Sequence, residues 1–205
     1  MTPPATSTPP DTDTAPEPRF ARLVTDGLEP RNWIIAVTLL MGWHADRLAG
    51  VGWGLVSAFF CGVVPILFIK WGERRGHWGD RHVRRRQDRL LVIPGIMLSV
   101  AACIALMKVF DAPQEMIALI AAMLAALVVI LAVTTVWKVS VHTAVSSGAL
   151  VMLAFAYGPW ALAAYPLVAL VGWSRVALRD HTLAQVLVGT ALGAATAAPV
   201  FTLLR

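Results

Sequence analysis

The stretch GWSRVALRDHTLAQVLVG, Gly172 to Gly189, interrupts apolar sequence with a serine, two arginines, an aspartate and a histidine. Long apolar runs lie on both sides of it. Ionisable groups at membrane depth are costly, and by default they mark a functional site. We call residues 174–181 the third island and expect the chain to be organised around them.

Two more polar islands precede it. The second island is Lys138-Val139-Ser140-Val141-His142, and the first is the strongly basic stretch from Arg74 to Arg89. Apolar runs separate the three islands from one another. The functional side chains are therefore expected in these islands rather than in the apolar runs.

The composition is that of an integral membrane protein. Of the 205 residues, 58% are hydrophobic and 14% are charged, whereas soluble domains carry about 25% charged residues. The apolar runs are rich in Gly, Ala and Leu and lack the alternating strands of roughly ten residues that a barrel needs. The predicted fold is an all-α, polytopic membrane helix bundle.

The apolar sequence divides into six to seven segments that can cross a bilayer. A tight turn at 46–52 separates the first two, and Gly158-Pro159 divides a run too long for one span. The segments are 33–45, 50–70, 90–108, 115–136, 143–157, 160–173 and 182–204. Residues 31–205 are predicted to form one membrane-embedded domain. Residues 1–30, rich in Pro and Thr, are predicted to be a disordered tail because they carry few large apolar side chains.

Counting crossings places the three islands on one side of the membrane, because they follow the second, fourth and sixth segments. An active site at one membrane surface is therefore expected. The positive-inside rule predicts that this side of a multi-pass cell-membrane protein is cytoplasmic. The cations on it are Arg74, Arg75, Arg81, Arg84, Arg85, Arg86, Arg89, Lys138, Arg175 and Arg179.

The third island carries groups suited to phosphate chemistry. Arg175 offers a planar fork of donors for phosphate oxygens. A neutral His181 can attack phosphorus, and Gln185, four residues on, lies on the same helical face and can accept the other ring N–H. The alternative is structural, with Asp180 capping the last helix and the arginines anchored at the interface.

The other islands offer phosphate ligands and an acid. Ser140 can hydrogen-bond a phosphate oxygen and His142 can protonate a leaving alkoxide; the alternative is a capping serine and a histidine with ordinary partners. In the first island His82, Arg86 and Arg89 share one helical face through i, i+4 and i+7 spacing. The alternative there is a basic patch that attracts anionic headgroups.

Together these motifs resemble those of the type 2 phosphatidic acid phosphatase superfamily. Ser174-Arg175, five residues and then His181 is similar to its SRxxxxxHxxxD motif, and Ser140-Val141-His142 looks like its PSGH motif. The basic loop stands where its KxxxxxxRP motif belongs. The chain departs from the pattern where Gln185 replaces the Asp, and it does so again at His82, Leu90, Val139 and Val141.

The resemblance implies hydrolysis of a lipid phosphate through a phosphohistidine intermediate, with no metal or cofactor and no nucleic-acid partner. His181 would be the nucleophile, oriented by Gln185, and His142 the general acid. The implied phosphate ligands are Arg175, Ser140 and Arg89, and further candidates are Arg86, His82, Ser174 and Lys138.

Two other functions stay open. The first is non-hydrolytic binding of a phosphorylated lipid, which the amide of Gln185 favours. The second is ionisation of an isoprenoid diphosphate in the same pocket. A small transporter is disfavoured, since no paired broken spans mark a site at the midplane.

Overall fold

The computed structural model describes residues 18–77 and 86–205, and no β-strand occurs within these ranges. The α-helices described are α1 (Arg19–Gly27), α2 (Pro30–Ala58), α3 (Val64–Arg74), α4 (Arg86–Val109), α5 (Gln114–Val136), α6 (Val141–Tyr157), α7 (Tyr165–Ala177) and α8 (Leu183–Leu204). The π-helical turn Phe59–Val63 joins α2 to α3, and the 3-10 helix Pro159–Ala164 leads into α7. The predicted all-α fold is confirmed.

Helix α2 is a hairpin of two antiparallel arms rather than a straight rod. The backbone leaves helical geometry at Asp46 and Arg47. Beyond this point Gly54 lies so close to Thr38 that a Cβ on the glycine would be 2.7 Å from the threonine carbonyl oxygen. A straight helix would hold these two residues about 24 Å apart. The chain therefore reverses where the sequence predicts a turn between the first two segments.

Five helical stretches are long and apolar enough to cross a membrane, and α6 is a shorter apolar helix. The five are 19–74, 87–109, 114–136, 159–177 and 183–204. Because the first stretch reverses within α2, it supplies two successive segments. The described part of the chain therefore contains seven apolar segments that correspond to the seven predicted from the sequence.

Helix α1 corrects part of the predicted tail. Its buried residues lie one turn apart on a single face and are Ala21, Val24 and Thr25. The Thr25 hydroxyl lies 2.9 Å from that of Ser174 in α7. Ala21 and Val24, two of the apolar residues near the end of the predicted tail, thus share a buried helical face with Thr25, which contacts α7. Residues 1–17 lie outside the described residues.

The core is built where α2, α4, α5, α6 and α8 pack together. Its buried side chains include Met41, Val100, Met107, Leu119, Ile120, Met152 and Phe201. Lipid chains are as apolar as these side chains, so helices in a membrane associate mainly through close packing and polar contacts rather than the hydrophobic effect. Positions where two backbones approach closely therefore matter most for the arrangement of the bundle.

The closest such approach near the islands joins α8 to α6. A Cβ on Gly193 would overlap the carbonyl oxygen of Ala144, and a Cβ on Gly189 would lie 2.5 Å from the carbonyl oxygen of Ser140. Two glycines four residues apart are a common means by which membrane helices come into contact. This contact fixes the loop of the second island beside the start of α8.

Replacing Gly193 by alanine should force α8 away from α6, because the overlapping atoms are backbone and cannot rotate aside. We expect a lower melting temperature in detergent, corresponding to roughly 1–3 kcal/mol, the usual cost of overpacking. Gly52→Ala is the matched control, because a Cβ at Gly52 would meet no atom within 4 Å. Equal melting temperatures for the two variants would contradict the close packing.

Candidate active site

The second and third islands are joined by hydrogen bonds at one end of the bundle. The backbone N–H of Ser140 donates to the carbonyl oxygen of Gln185 at 3.2 Å. The ammonium group of Lys138 donates to the carbonyl oxygen of Asp180 at 2.6 Å. The loops before α6 and α8 therefore form a single surface.

Arg89 brings the end of the first island to the same surface. Its side chain is buried, and one guanidinium nitrogen donates to the carbonyl oxygen of Val139 at 2.6 Å. Another guanidinium nitrogen lies 3.4 Å from Nε2 of His181. An anion bound by this guanidinium would therefore also be next to the imidazole ring.

Gln185 determines which ring nitrogen of His181 carries the proton. Its side-chain oxygen accepts from the backbone N–H of Thr182 at 3.2 Å. Because a backbone N–H can only donate, this contact fixes the amide with its oxygen towards the loop. The same oxygen lies 3.1 Å from Nδ1 of His181. The proton is thus assigned to Nδ1, and Nε2 keeps its lone pair on the side of Arg89.

Thr182 begins α8 with a capping box, in which its hydroxyl accepts from the N–H of Gln185 and the Gln185 side chain accepts in return. The alternative in which Asp180 caps this helix is therefore wrong. The sequence Thr182-Leu-Ala-Gln185 carried the signal, since it fits the S/T-x-x-E/Q pattern of a capping box. The side-chain oxygen of Gln185 consequently accepts from the backbone N–H of Thr182 at the start of α8 and also from the imidazole of His181.

Asp180 instead forms a buried ion pair with Arg175. Nη2 of Arg175 lies 2.8 Å from Oδ2 of Asp180, and the arginine side chain is only 1% exposed. The backbone N–H groups of Asp180 and His181 both donate to the carbonyl oxygen of Arg175, at 3.1 and 3.2 Å. The loop thereby closes on Arg175. This pair was not predicted from the sequence, although the opposite charges of Arg175 and Asp180 beside His181 were a signal for it.

Ser140 and His142 are both buried at the start of α6. The Ser140 hydroxyl accepts from the N–H of Thr143 at 3.4 Å, so it caps α6 as the structural alternative predicted. A hydroxyl that accepts one hydrogen bond still has its own proton to donate. Capping and phosphate binding are therefore compatible at Ser140. His142 lines the same cavity as Arg89.

The remaining predicted phosphate ligands differ in placement. The Ser174 hydroxyl donates to the carbonyl oxygen of Val171 at 2.7 Å and contacts Thr25, so it attaches α1 to α7. No motif or spacing in the sequence points to Thr25. His82 lies outside the described residues, as does the side chain of Arg86.

The surroundings of His181 keep its imidazole neutral. The pKa of this group is lowered to about 3. Burial is the largest cause, and the positive charges of Arg89, Lys138 and Arg175 act in the same direction. The hydrogen bond to Gln185 opposes them. A neutral imidazole is the form that can act as a nucleophile.

Residues 137–205, about a third of the chain, match the family model described as the PAP2 superfamily. The match takes in the second and third islands and the helices α6, α7 and α8. It confirms the resemblance to the type 2 phosphatidic acid phosphatase superfamily in this part of the chain. Members of the superfamily are phosphatases, so the match supports hydrolysis of phosphoric esters in general. No curated protein and no solved structure matches the chain.

Acid should destabilise the folded protein through His181. An unfolded histidine takes up a proton as the pH falls through 6.5, whereas folded His181 does not until about pH 3. Between these values the unfolded state binds more protons, so the free energy of unfolding should fall by roughly 1.4 kcal/mol per pH unit. Above neutral pH the side chain of His181 is neutral in both the folded and the unfolded state, so it no longer makes stability depend on pH.

The measurement compares melting temperatures in detergent near pH 7 and near pH 4.5 for the wild type and His181→Ala. We expect the wild type to lose more stability on acidification, because the variant lacks this group. Equal losses in the two proteins would contradict the lowered pKa.

Proposed function

We propose that the chain is an integral-membrane phosphatase that hydrolyses a lipid phosphate monoester or diphosphate through a phosphohistidine intermediate. One observation carries the proposal, namely that Nε2 of His181 lies 3.4 Å from the guanidinium of Arg89 while Nδ1 lies 3.1 Å from the side-chain oxygen of Gln185. Substrates of the phosphatidate, phosphatidylglycerol phosphate or prenyl phosphate class suit this chemistry. The excess of cations on the island side supports a site at the cytoplasmic surface of the cell membrane.

The charges around His181 would bind the phosphate. Arg89, Arg175 and Lys138 surround the ring closely enough to lower its pKa, so their field also attracts an anion. The guanidinium nitrogen of Arg89 that faces Nε2 of His181 would donate to a phosphate oxygen instead. The Ser140 hydroxyl would donate to a second oxygen. These contacts would bring phosphorus within reach of Nε2.

The reaction would take place in two displacements. Nε2 of His181 attacks phosphorus as the bond to the ester oxygen breaks, and His142 gives its proton to the leaving alkoxide. A water molecule then attacks the phosphohistidine, the phosphorus–nitrogen bond breaks, and a proton of that water returns to His142. A monoester gives an alcohol and inorganic phosphate, a diphosphate gives the lipid monophosphate and inorganic phosphate, and in both cases the side chains regain their initial protonation.

Gln185 favours a second candidate function, non-hydrolytic binding of a phosphorylated lipid. The phosphorylated ring carries positive charge, which a carboxylate on Nδ1–H stabilises far more than an amide does. The Asp180 carboxylate forms an ion pair with Arg175. Without a carboxylate on Nδ1–H the phosphohistidine would form very slowly, and the protein would bind the lipid phosphate without hydrolysing it.

Phosphate release tests the first candidate. We expect the purified protein to release phosphate from phosphatidate, phosphatidylglycerol phosphate or prenyl (di)phosphate in the presence of EDTA, and His181→Ala to lose at least about a thousandfold in rate because its nucleophile is gone. His44→Ala is the control, since His44 is exposed and contacts Tyr157 rather than the site. Release that survives in His181→Ala would contradict the mechanism. Mass spectrometry should show the alcohol from a monoester and the monophosphate or the alcohol from a diphosphate, with no rearranged isoprenoid product.

Gln185→Glu tests the second candidate. Glutamate has nearly the same shape and also forms capping boxes, so it should keep the start of α8 while adding a negative charge beside Nδ1. We expect phosphate release to increase about tenfold, the effect of about one pKa unit of added stabilisation. Gln185→Asp, the residue of the family motif, is the companion variant.

The matched control for these variants is Gln185→Leu, which removes the acceptor and should lower the rate. Activity that appears only in Gln185→Glu or Gln185→Asp would favour the binding protein. If neither variant exceeds an active wild type, the amide does not limit the reaction.

A further inference from the structure

An apolar cavity of about 220 Å³ in the interior of the bundle shares two lining residues with the active site, Arg89 and His142. These two residues stand near the starts of α4 and α6, and Glu29 and Arg31, at the start of α2, line the cavity as well. Its remaining lining comes from apolar side chains and glycines of α2, α3, α4, α5, α6, α8 and the π-helical turn. The charged and imidazole side chains of the lining thus belong to the starts of α2, α4 and α6, and the rest of the lining is apolar.

The cavity is about as deep as one leaflet of a bilayer. Its lining runs from Arg89 to Val100 on α4, from Ile130 to Leu119 on α5 and from His142 to Met152 on α6. Ten or eleven residues of helix rise about 16 Å, roughly half of the ~30 Å hydrocarbon core of a membrane. Leu119 and Met152 are both buried at its deep end.

Small side chains on facing helices give the cavity its width. They are Ala122 and Ala126 on α5 and Gly148 and Ala149 on α6. A larger residue at Ala126 would take up part of this space, whereas a Cβ on Gly148 would lie 3.3 Å from the carbonyl oxygen of Gly193 in α8. A hydroxyl or a charge placed among them would lose its hydrogen bonds to water without replacement, which excludes a sugar or a second headgroup.

We propose that this cavity binds the hydrocarbon chain of the substrate, so that the lipid phosphate enters with one linear chain drawn out of the bilayer into the protein. This inference rests on the proposed function, because Arg89 would hold the phosphate and His142 would protonate the ester oxygen. Both side chains line the mouth of the cavity, and the carbon atoms beyond that oxygen continue into it. Leu119 and Met152 then set the longest chain that fits.

Chain-length dependence tests the proposal with two matched variants of α5. Ala126→Phe fills the middle of the cavity, whereas Ala132→Phe places the same ring on an exposed position of the same helix that does not line it. The substrates are ethyl phosphate and decyl phosphate at one fixed detergent concentration. Each methylene that passes from water into an apolar site is worth up to about a factor of four in kcat/KM.

In the wild type kcat/KM should therefore be higher for decyl than for ethyl phosphate. We expect Ala126→Phe to lose at least about tenfold in kcat/KM for decyl phosphate, which corresponds to two or more excluded methylenes. Its kcat/KM for ethyl phosphate should stay within about twofold of the wild type, because no part of that substrate reaches the ring. Ala132→Phe should resemble the wild type with both substrates. Equal effects of the two variants on decyl phosphate would overturn the proposal.

A second measurement separates failure of this proposal from failure of the proposed function. A decyl phosphonate with a diazirine at the end of its chain cannot be hydrolysed, and light attaches it to the residues around the chain end. We expect labelling of the α5 peptide that contains Leu119 and Met123, competed by decyl phosphate and reduced in Ala126→Phe only. If this labelling is observed but the protein releases no phosphate, the proposed phosphatase activity is contradicted and the proposed binding of the hydrocarbon chain in the cavity is supported. Labelling confined to outward-facing residues such as Leu98, which is 74% exposed, would overturn the chain site.

Discussion

The backbone contact between α6 and α8 is the constraint on which the site depends. Gly189 and Gly193 let the carbonyl oxygens of Ser140 and Ala144 approach α8 more closely than any side chain would allow. At this separation the N–H of Ser140 donates to the carbonyl oxygen of Gln185 at 3.2 Å. Because helices in a membrane gain little from hydrophobic burial against one another, such close packing determines where the loops at their ends lie.

Burial and positive charge act together on His181, and their combined effect explains two properties of the site. The cations around the ring lower its pKa and also make the same space favourable for an anion. A low-dielectric environment strengthens both effects. A free, neutral nucleophile and an anion-binding pocket are thus consequences of one arrangement of charges.

The sequence predicted the parts of this arrangement that follow from spacing along a helix or from counting segments. Because the islands follow the second, fourth and sixth apolar segments, the sequence predicted that they lie on one side of the membrane. The four-residue separation of His181 and Gln185 predicted a contact between these two side chains. The ion pair of Asp180 with Arg175 depends instead on the loop turning at Arg179, where φ is 56°. The docking of α1 and the apolar cavity depend on contacts between distant helices, and apolar residues that line a cavity look like core residues in a sequence.

The double use of the Gln185 oxygen links the chemistry to the end of a helix. The first turn of a helix frays more readily than its middle, because its N–H groups lack partners within the helix. When the first turn of α8 opens, the acceptor of the Nδ1 proton leaves together with the cap, and the proton is free to move to Nε2. The fraction of molecules with a closed first turn therefore limits the fraction in which His181 has the reactive tautomer.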